Sequence, residues 1–140
     1  MRKLIYYTLF QLIFLNIQAQ SNPCLLFDAS LIDSLQEIKK DSGGIKQILK
    51  ANHDTIATDL IMILRDFKTN EPLKNVYVMV TKELTKVSDS TGFVYFNAFG
   101  TGGNYTISIN RENYHCIEID NLHFNSGEVR WIEVKLRKTN

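Results

Sequence analysis

Hydrophobic and polar positions along this chain change period near residue 57. Upstream, "DASLIDSLQEIKK" sets Leu31, Leu35 and Ile38 on one helical stripe with Ile32 beside it, and Asp28 or Ser30 stands where a cap belongs. "DSGG" at 41–44 interrupts that stripe, and Ile45, Ile48 and Leu49 restart an apolar face in "IKQILKAN". The spacing predicts a helical pair, or one broken helix, over 28–52. No internal repeat or low-complexity tract accompanies it.

From residue 57 the period is two. "ATDLIMILRD" is a continuous apolar run bounded by polar residues, as in a buried strand, and "KTNEPLK" with Pro72 reads as a turn. Val76, Val78 and Val80 then alternate with Tyr77 and Met79. In "SDSTGFVYF" at 88–96, Asp and Ser offer bonds to nearby backbone and Gly92 supplies a positive φ, so a turn precedes the strand carrying Val94 and Phe96. "FGTGGN" at 99–104 marks a second glycine-rich turn, followed by Tyr105, Ile107 and Ile109, then Ile117 and Ile119, then Ile132, Val134 and Leu136. Six or seven short strands at this spacing indicate an antiparallel sandwich or barrel. Alternation sends Val76, Val78, Val80, Val94, Phe96, Ile132, Val134 and Leu136 inward and Tyr77, Met79, Phe93, Tyr95 and Trp131 outward. An outward aromatic cluster marks a contact surface unless the stripe of Leu31, Leu35 and Ile38 covers it. Tyr77, Phe93, Tyr95 and Trp131 are the candidate binding residues.

The first twenty residues have another character. Arg2 and Lys3 precede an apolar run from Leu4 to Leu15, and the small residue Ala19 follows, which is the layout of a secretory signal peptide cleaved after residue 19. The alternative is a membrane anchor, but Gln11 and Asn16 interrupt the run, and it is shorter than the roughly 20 residues that span a bilayer. Ser21-Asn22-Pro23 before Cys24 does not form a lipobox. Export to an oxidising compartment leaves one intramolecular pairing for the two cysteines, Cys24 with Cys116; the alternative is two unpaired thiols. At 140 residues and 44% hydrophobic composition the chain suits one packed domain. Its 16 basic and 15 acidic residues, shifting to a net charge of about −1 without Arg2 and Lys3, supply no basic field for nucleic acid.

The order of these pieces resembles the carboxypeptidase regulatory-like domain family. "DFKTNEPLKNVYV", "SDSTGFVYF", "NYTISINRENYHCIEI" and a closing "EVKL" follow one another over about residues 58–138. Asp66, Thr69, Pro72 and Leu73 match the family's first element, and Asp89 and Gly92 match the second. Met62 stands where the family usually has Gly, Asn113-Tyr114 where it has Gly-Tyr, and Val94 where an aromatic is usual. The resemblance implies a transthyretin-like sandwich, common in exported proteins of Bacteroidota-type bacteria, that sits as an accessory module beside peptidase domains or at the front of outer-membrane uptake receptors. It carries no catalytic residues. The expected architecture is therefore mainly β: an antiparallel, seven-stranded transthyretin-like or Ig-like sandwich at 57–138, behind a signal peptide at 1–19 and a short helical segment at 20–56.

A search for chemistry in the residues themselves turns up little. His53, His115 and His123 lack H-x-x-x-H spacing and a C-x-x-C partner, which argues against zinc, although His115, Glu118 and His123 would converge if a turn allowed it. His115 and Cys116, as neighbours in a strand, point to opposite faces and are poorly placed for nucleophilic catalysis. Only Asp89 in the acidic turn offers a carboxylate, too few for calcium, and "GTGG" lacks the Lys and helix of a phosphate loop. No Gly-x-Ser-x-Gly elbow is present, and no pattern requires a cofactor. The reading is a non-catalytic exported module, periplasmic, outer-membrane-associated or secreted, that docks a protein or binds carbohydrate or peptide. Its expected partner is an envelope protein or glycan, with no stable membrane span once the signal is removed. The alternative is a small secreted hydrolase or peptidase-associated enzyme.

Overall fold

The computed structural model describes residues 24–29, 38–40, 43–52, 58–81, 84–97 and 102–140. In chain order the strands are β1 (Leu25–Asp28), β2 (Ile38–Lys40), β3 (Gly43–Asn52), β4 (Asp59–Asp66), β5 (Tyr77–Thr81), β6 (Leu84–Val87), β7 (Phe93–Asn97), β8 (Asn104–Asn110), β9 (Ile117–His123) and β10 (Glu128–Leu136). They form two five-stranded sheets, β1-β9-β8-β5-β6 and β2-β3-β10-β4-β7. Each sheet turns one face inward. Val78, Ile107, Ile109, Ile117 and Ile119 from the first join Leu60, Met62, Leu64, Phe96, Ile132 and Val134 from the second in one core. The eight residues assigned inward by alternation are all buried, Val80 the most exposed of them at 4%.

Residues 43–52, expected to be helical, are strand. Nine positions of β3 pair antiparallel with β10, from Gly43 opposite Leu136 to Asn52 opposite Glu128. The register passes from Leu49–Trp131 to Gln47–Ile132 and so skips Ile48. One extra residue of this kind breaks the period of two. It leaves apolar residues at 45, 48 and 49, which is also the spacing of a helical face. Gly43 belongs to the strand: a Cβ there would lie 2.8 Å from the Lys135 carbonyl oxygen and 2.9 Å from Ile117 Cδ1. The glycine lets β10 and the opposite sheet approach, where the sequence suggested a helix break.

The described strands before residue 57 join the same sheets as those after it. β3 is an interior strand beside β10, and β1 pairs with β9, so β1, β2 and β3 belong to the two sheets that the strands of 57–138 build. Ile38, placed on the helical stripe, begins β2; Leu31, Ile32 and Leu35 lie outside the described residues, as does the stretch 1–19 expected to be a signal peptide. Among the described residues no helix is long and apolar enough to cross a membrane.

The sheets are mixed, not purely antiparallel. β1 pairs parallel with β9, and β4 pairs parallel with β10. Between β4 and β10 the chain travels through β5, β6, β7, β8 and β9, a connection long enough to bring two strands side by side in one direction. β6 was not anticipated. Its residues "LTKV" alternate between half-buried and exposed at a sheet edge, so no inward apolar stripe announces it.

At the end of the molecule near β10's start, Glu128 and Arg130 form a buried ion pair, and the Arg130 guanidinium lies 5.2 Å from the centre of the Phe124 ring. Glu128 also accepts from the backbone N–H of Asn125 at 2.8 Å, which closes the turn into β10.

Candidate functional site

The motif residues singled out in the sequence gather at the opposite end, where β4, β8 and β10 finish and β5, β7 and β9 start. Asp66, the last residue of β4, is 6% exposed. One carboxylate oxygen accepts from the backbone N–H groups of Lys68 at 2.8 Å and Thr69 at 2.9 Å, and the other accepts from the Tyr114 hydroxyl at 3.0 Å. Burial alone would raise the Asp66 carboxyl, but the N–H groups of Thr69 and Lys68 and the Tyr114 hydroxyl outweigh it and hold the group below its ordinary value. Burial and the Asp66 carboxylate together push Tyr114 upward. One side chain thus fixes a turn and clamps the β8–β9 loop to it.

The "SDSTGFVYF" stretch divides its work among three residues. Ser88, 3% exposed, donates to the Leu73 carbonyl at 2.6 Å and accepts from the Val76 N–H at 2.9 Å. Asp89 accepts from Thr91 N–H at 2.8 Å, from Thr91 Oγ1 at 2.7 Å and from Phe93 N–H at 3.0 Å. The Thr91 hydroxyl and the two N–H groups lower its carboxyl. Gly92 has φ of +76°, and a Cβ there would sit 2.3 Å from the Leu64 carbonyl oxygen. In this structure the acidic turn binds its own backbone.

Cations surround this end. The Arg137 guanidinium lies 4.4 Å from the centre of the Phe67 ring, and Arg111 lies 4.8 Å from that of Tyr114, with Lys138 Nζ at 5.9 Å. An open cleft of about 620 Å³ is lined by Asp66, Phe67, Lys68, Thr69, Arg137, Lys138 and Asn140. A second, of about 540 Å³, runs past Tyr77, Arg111 and Asn113. Nη1 of Arg111 is buried with no hydrogen-bond partner among the described residues, and the guanidinium rests over the Tyr114 ring instead.

Cys24 and Cys116 are joined by a disulfide with Cα atoms 4.8 Å apart, and Leu25 N–H donates to the Cys116 carbonyl at 3.0 Å. The bridge fastens the start of β1 to the start of β9 and leaves no thiol beside His115. His115 precedes β9 and His123 ends it, separated by roughly 20 Å or more at the rise of an extended strand, so with Glu118 they do not converge. His53 lies outside the described residues. Among the described residues no group of three His, Cys, Asp or Glu is arranged around a common metal position.

The four candidate binding residues do not form one patch. Tyr77 is 58% exposed on β5, in the first sheet, whereas Phe93, Tyr95 and Trp131 belong to the second. Within the second sheet Tyr95 pairs with Ile61 and Ile61 with Trp131, giving one row across three strands; Phe93 pairs with Ile63 in the next row on the same face. Phe93 is 36% and Tyr95 39% exposed, while Ile61, Ile63 and Trp131 are half-buried. The Tyr95 hydroxyl donates to Asp59 at 3.0 Å, and that bond raises the phenol above its ordinary value. Lys86, on β6 of the other sheet, donates to the Tyr95 carbonyl at 2.6 Å. Neither Ser88's double bond nor the Lys86 contact was visible in the sequence, because each depends on a partner in a different element.

No protein-family model matches the chain, and no curated protein matches it.

Proposed function

We propose that this chain is a non-catalytic, exported accessory module that docks to a protein of the cell envelope through the outer face of β7, β4 and β10. The observation that carries the reading is the cross-strand row of Tyr95, Ile61 and Trp131, with Phe93 and Ile63 beside it. Apolar and aromatic side chains at the centre, with Asp59 and the Arg65–Glu133 ion pair at 3.2 Å around them, match the division of a protein interface into aromatic anchors and polar rim. The Cys24–Cys116 bridge supports export, since such bonds persist in oxidising compartments. The turns locked by Asp66, Asp89 and Gly92 support a sandwich of the carboxypeptidase regulatory-like kind, because the matching motif positions are those that hold the turns. Tyr77 belongs to the opposite sheet and drops out of this surface.

A photo-crosslinking residue at Phe93 tests the reading in intact envelope. The expected result is a discrete protein adduct that Trp131→Ala abolishes while the melting temperature stays unchanged. Crosslinking that survives Trp131→Ala, or adducts to glycan alone, overturns it.

A further inference from the structure

We propose a second binding site, independent of the aromatic face: the cleft formed by Lys68, Arg137 and Lys138 over Phe67 takes a ligand bearing carboxylate or phosphate oxyanions. The three cations line one concavity, and none has an ion-pair partner among the described residues. Clefts lined by one sign of charge focus the field and concentrate counter-ions of the opposite sign. The acidic side chain that shares the lining, Asp66, is already committed: its oxygens receive the N–H groups of Lys68 and Thr69 and the hydroxyl of Tyr114. It therefore offers the cations little competition.

The walls are also preformed. Phe67 N–H donates to the Leu136 carbonyl at 2.8 Å, which ties the turn to the end of β10. Thr139 N–H donates to the Asn113 carbonyl at 3.0 Å, and Lys138 makes a backbone bridge with Tyr114, so the segment carrying the cations is held on both sides. Arg137 is stacked on the Phe67 ring at 4.4 Å, which limits the freedom its planar fork would lose on gripping an oxyanion. Phe67 adds an apolar wall, suited to an anionic group carried on a ring or carbon chain.

Isothermal titration of the disulfide-intact protein at low salt reads this directly, with pyrophosphate as the phosphate probe and trigalacturonate as the carboxylate probe. At least one probe is expected to bind saturably, and the one that does identifies the source of the oxyanion. Arg137→Gln is expected to weaken it about fivefold or more, the loss of one contact charge in a solvated site. Arg137→Lys, which keeps the charge without the fork, is expected to fall between. Lys46→Gln on β3, away from the cleft, is expected to leave affinity unchanged. If Arg137→Gln lowers the melting temperature, Lys138→Gln serves as the second test. No saturable binding of either probe, or equal losses in Lys46→Gln and the cleft variants, overturns the proposal.

Discussion

The Tyr114 hydroxyl donates to the Asp66 carboxylate at 3.0 Å across 48 positions of sequence. That bond joins the end of β4, in one sheet, to the loop that leads into β9 of the other. Removing it with Tyr114→Phe is expected to cost about 1–2 kcal/mol, the range for a hydrogen bond to a charged group that keeps some access to water. Urea unfolding of the variant measures it, and an unchanged midpoint contradicts the assignment.

The same pair sets a pH dependence. The Asp66 and Asp89 carboxyls are lowered in the folded state, so the stability they contribute is complete above the unfolded carboxylate value of about 3.9 and is lost as pH falls through the lower folded values. Tyr114 is raised, so its contribution is complete below about pH 10 and declines above it. Unfolding midpoints are expected to be level at intermediate pH and to fall below about pH 4. Asp66→Asn should make the acid limb shallower as well as lowering the plateau.

Gly92→Ala places a methyl group 2.3 Å from the Leu64 carbonyl oxygen at a residue with φ of +76°. The Leu64 N–H also donates to the Gly92 carbonyl at 2.8 Å, so the turn cannot move away without breaking the β4–β7 pairing. A loss of about 3 kcal/mol or more is expected in thermal or urea unfolding.

Reducing the Cys24–Cys116 bridge, which spans 92 positions, is expected to lower stability by about 4 kcal/mol in the chain-entropy account. Because β1 is an edge strand whose ladder partner among the described strands is β9, its amides are expected to lose hydrogen-exchange protection first. Equal protection in oxidised and reduced protein would exclude this.

A chain beginning at residue 55 lacks β1, β2 and β3. It uncovers the backbone edge of β10 that β3 occupies over nine pairs and takes Phe27 and Ile45 from the core. Such a chain is expected to aggregate or to unfold without a cooperative transition; a sharp two-state melt with a strand-type circular dichroism spectrum would show that residues 57–138 suffice.

Strand alternation was legible wherever one face is buried. The Val76–Val78–Val80 series and the Ile132–Val134–Leu136 series read correctly because a period of two ties each residue to one face. Alternation says nothing of which sheet a strand joins, so Tyr77 was grouped with Tyr95 although they occupy different sheets. β3 misled for a local reason, the skipped Ile48, and a tertiary one, pairing with a β10 some eighty residues later. At the candidate site Asp89 and Gly92 stand out by residue type, and Asp66 by its place in the motif that resembles the family's. Arg137, Lys68 and Lys138 do not, because only the fold brings the turn after β4 against the tail of β10.

The Lys86 contact has a consequence for how copies of this molecule meet. Leu64 N–H bonds to Gly92 in the β4–β7 ladder, so by antiparallel alternation Phe93 and Tyr95 turn their own N–H and C=O groups away from β4, toward the open side of β7. Asp89 takes both groups of Phe93, its carboxylate accepting from the Phe93 N–H and its backbone N–H donating to the Phe93 carbonyl at 3.2 Å, and Lys86 takes the carbonyl of Tyr95. An incoming strand would find those sites filled and a charged ammonium in its path. Edge-to-edge pairing is thereby opposed by the carboxylate and N–H of Asp89 and by the Lys86 ammonium, so that β7 can display Phe93 and Tyr95 without inviting a fibre.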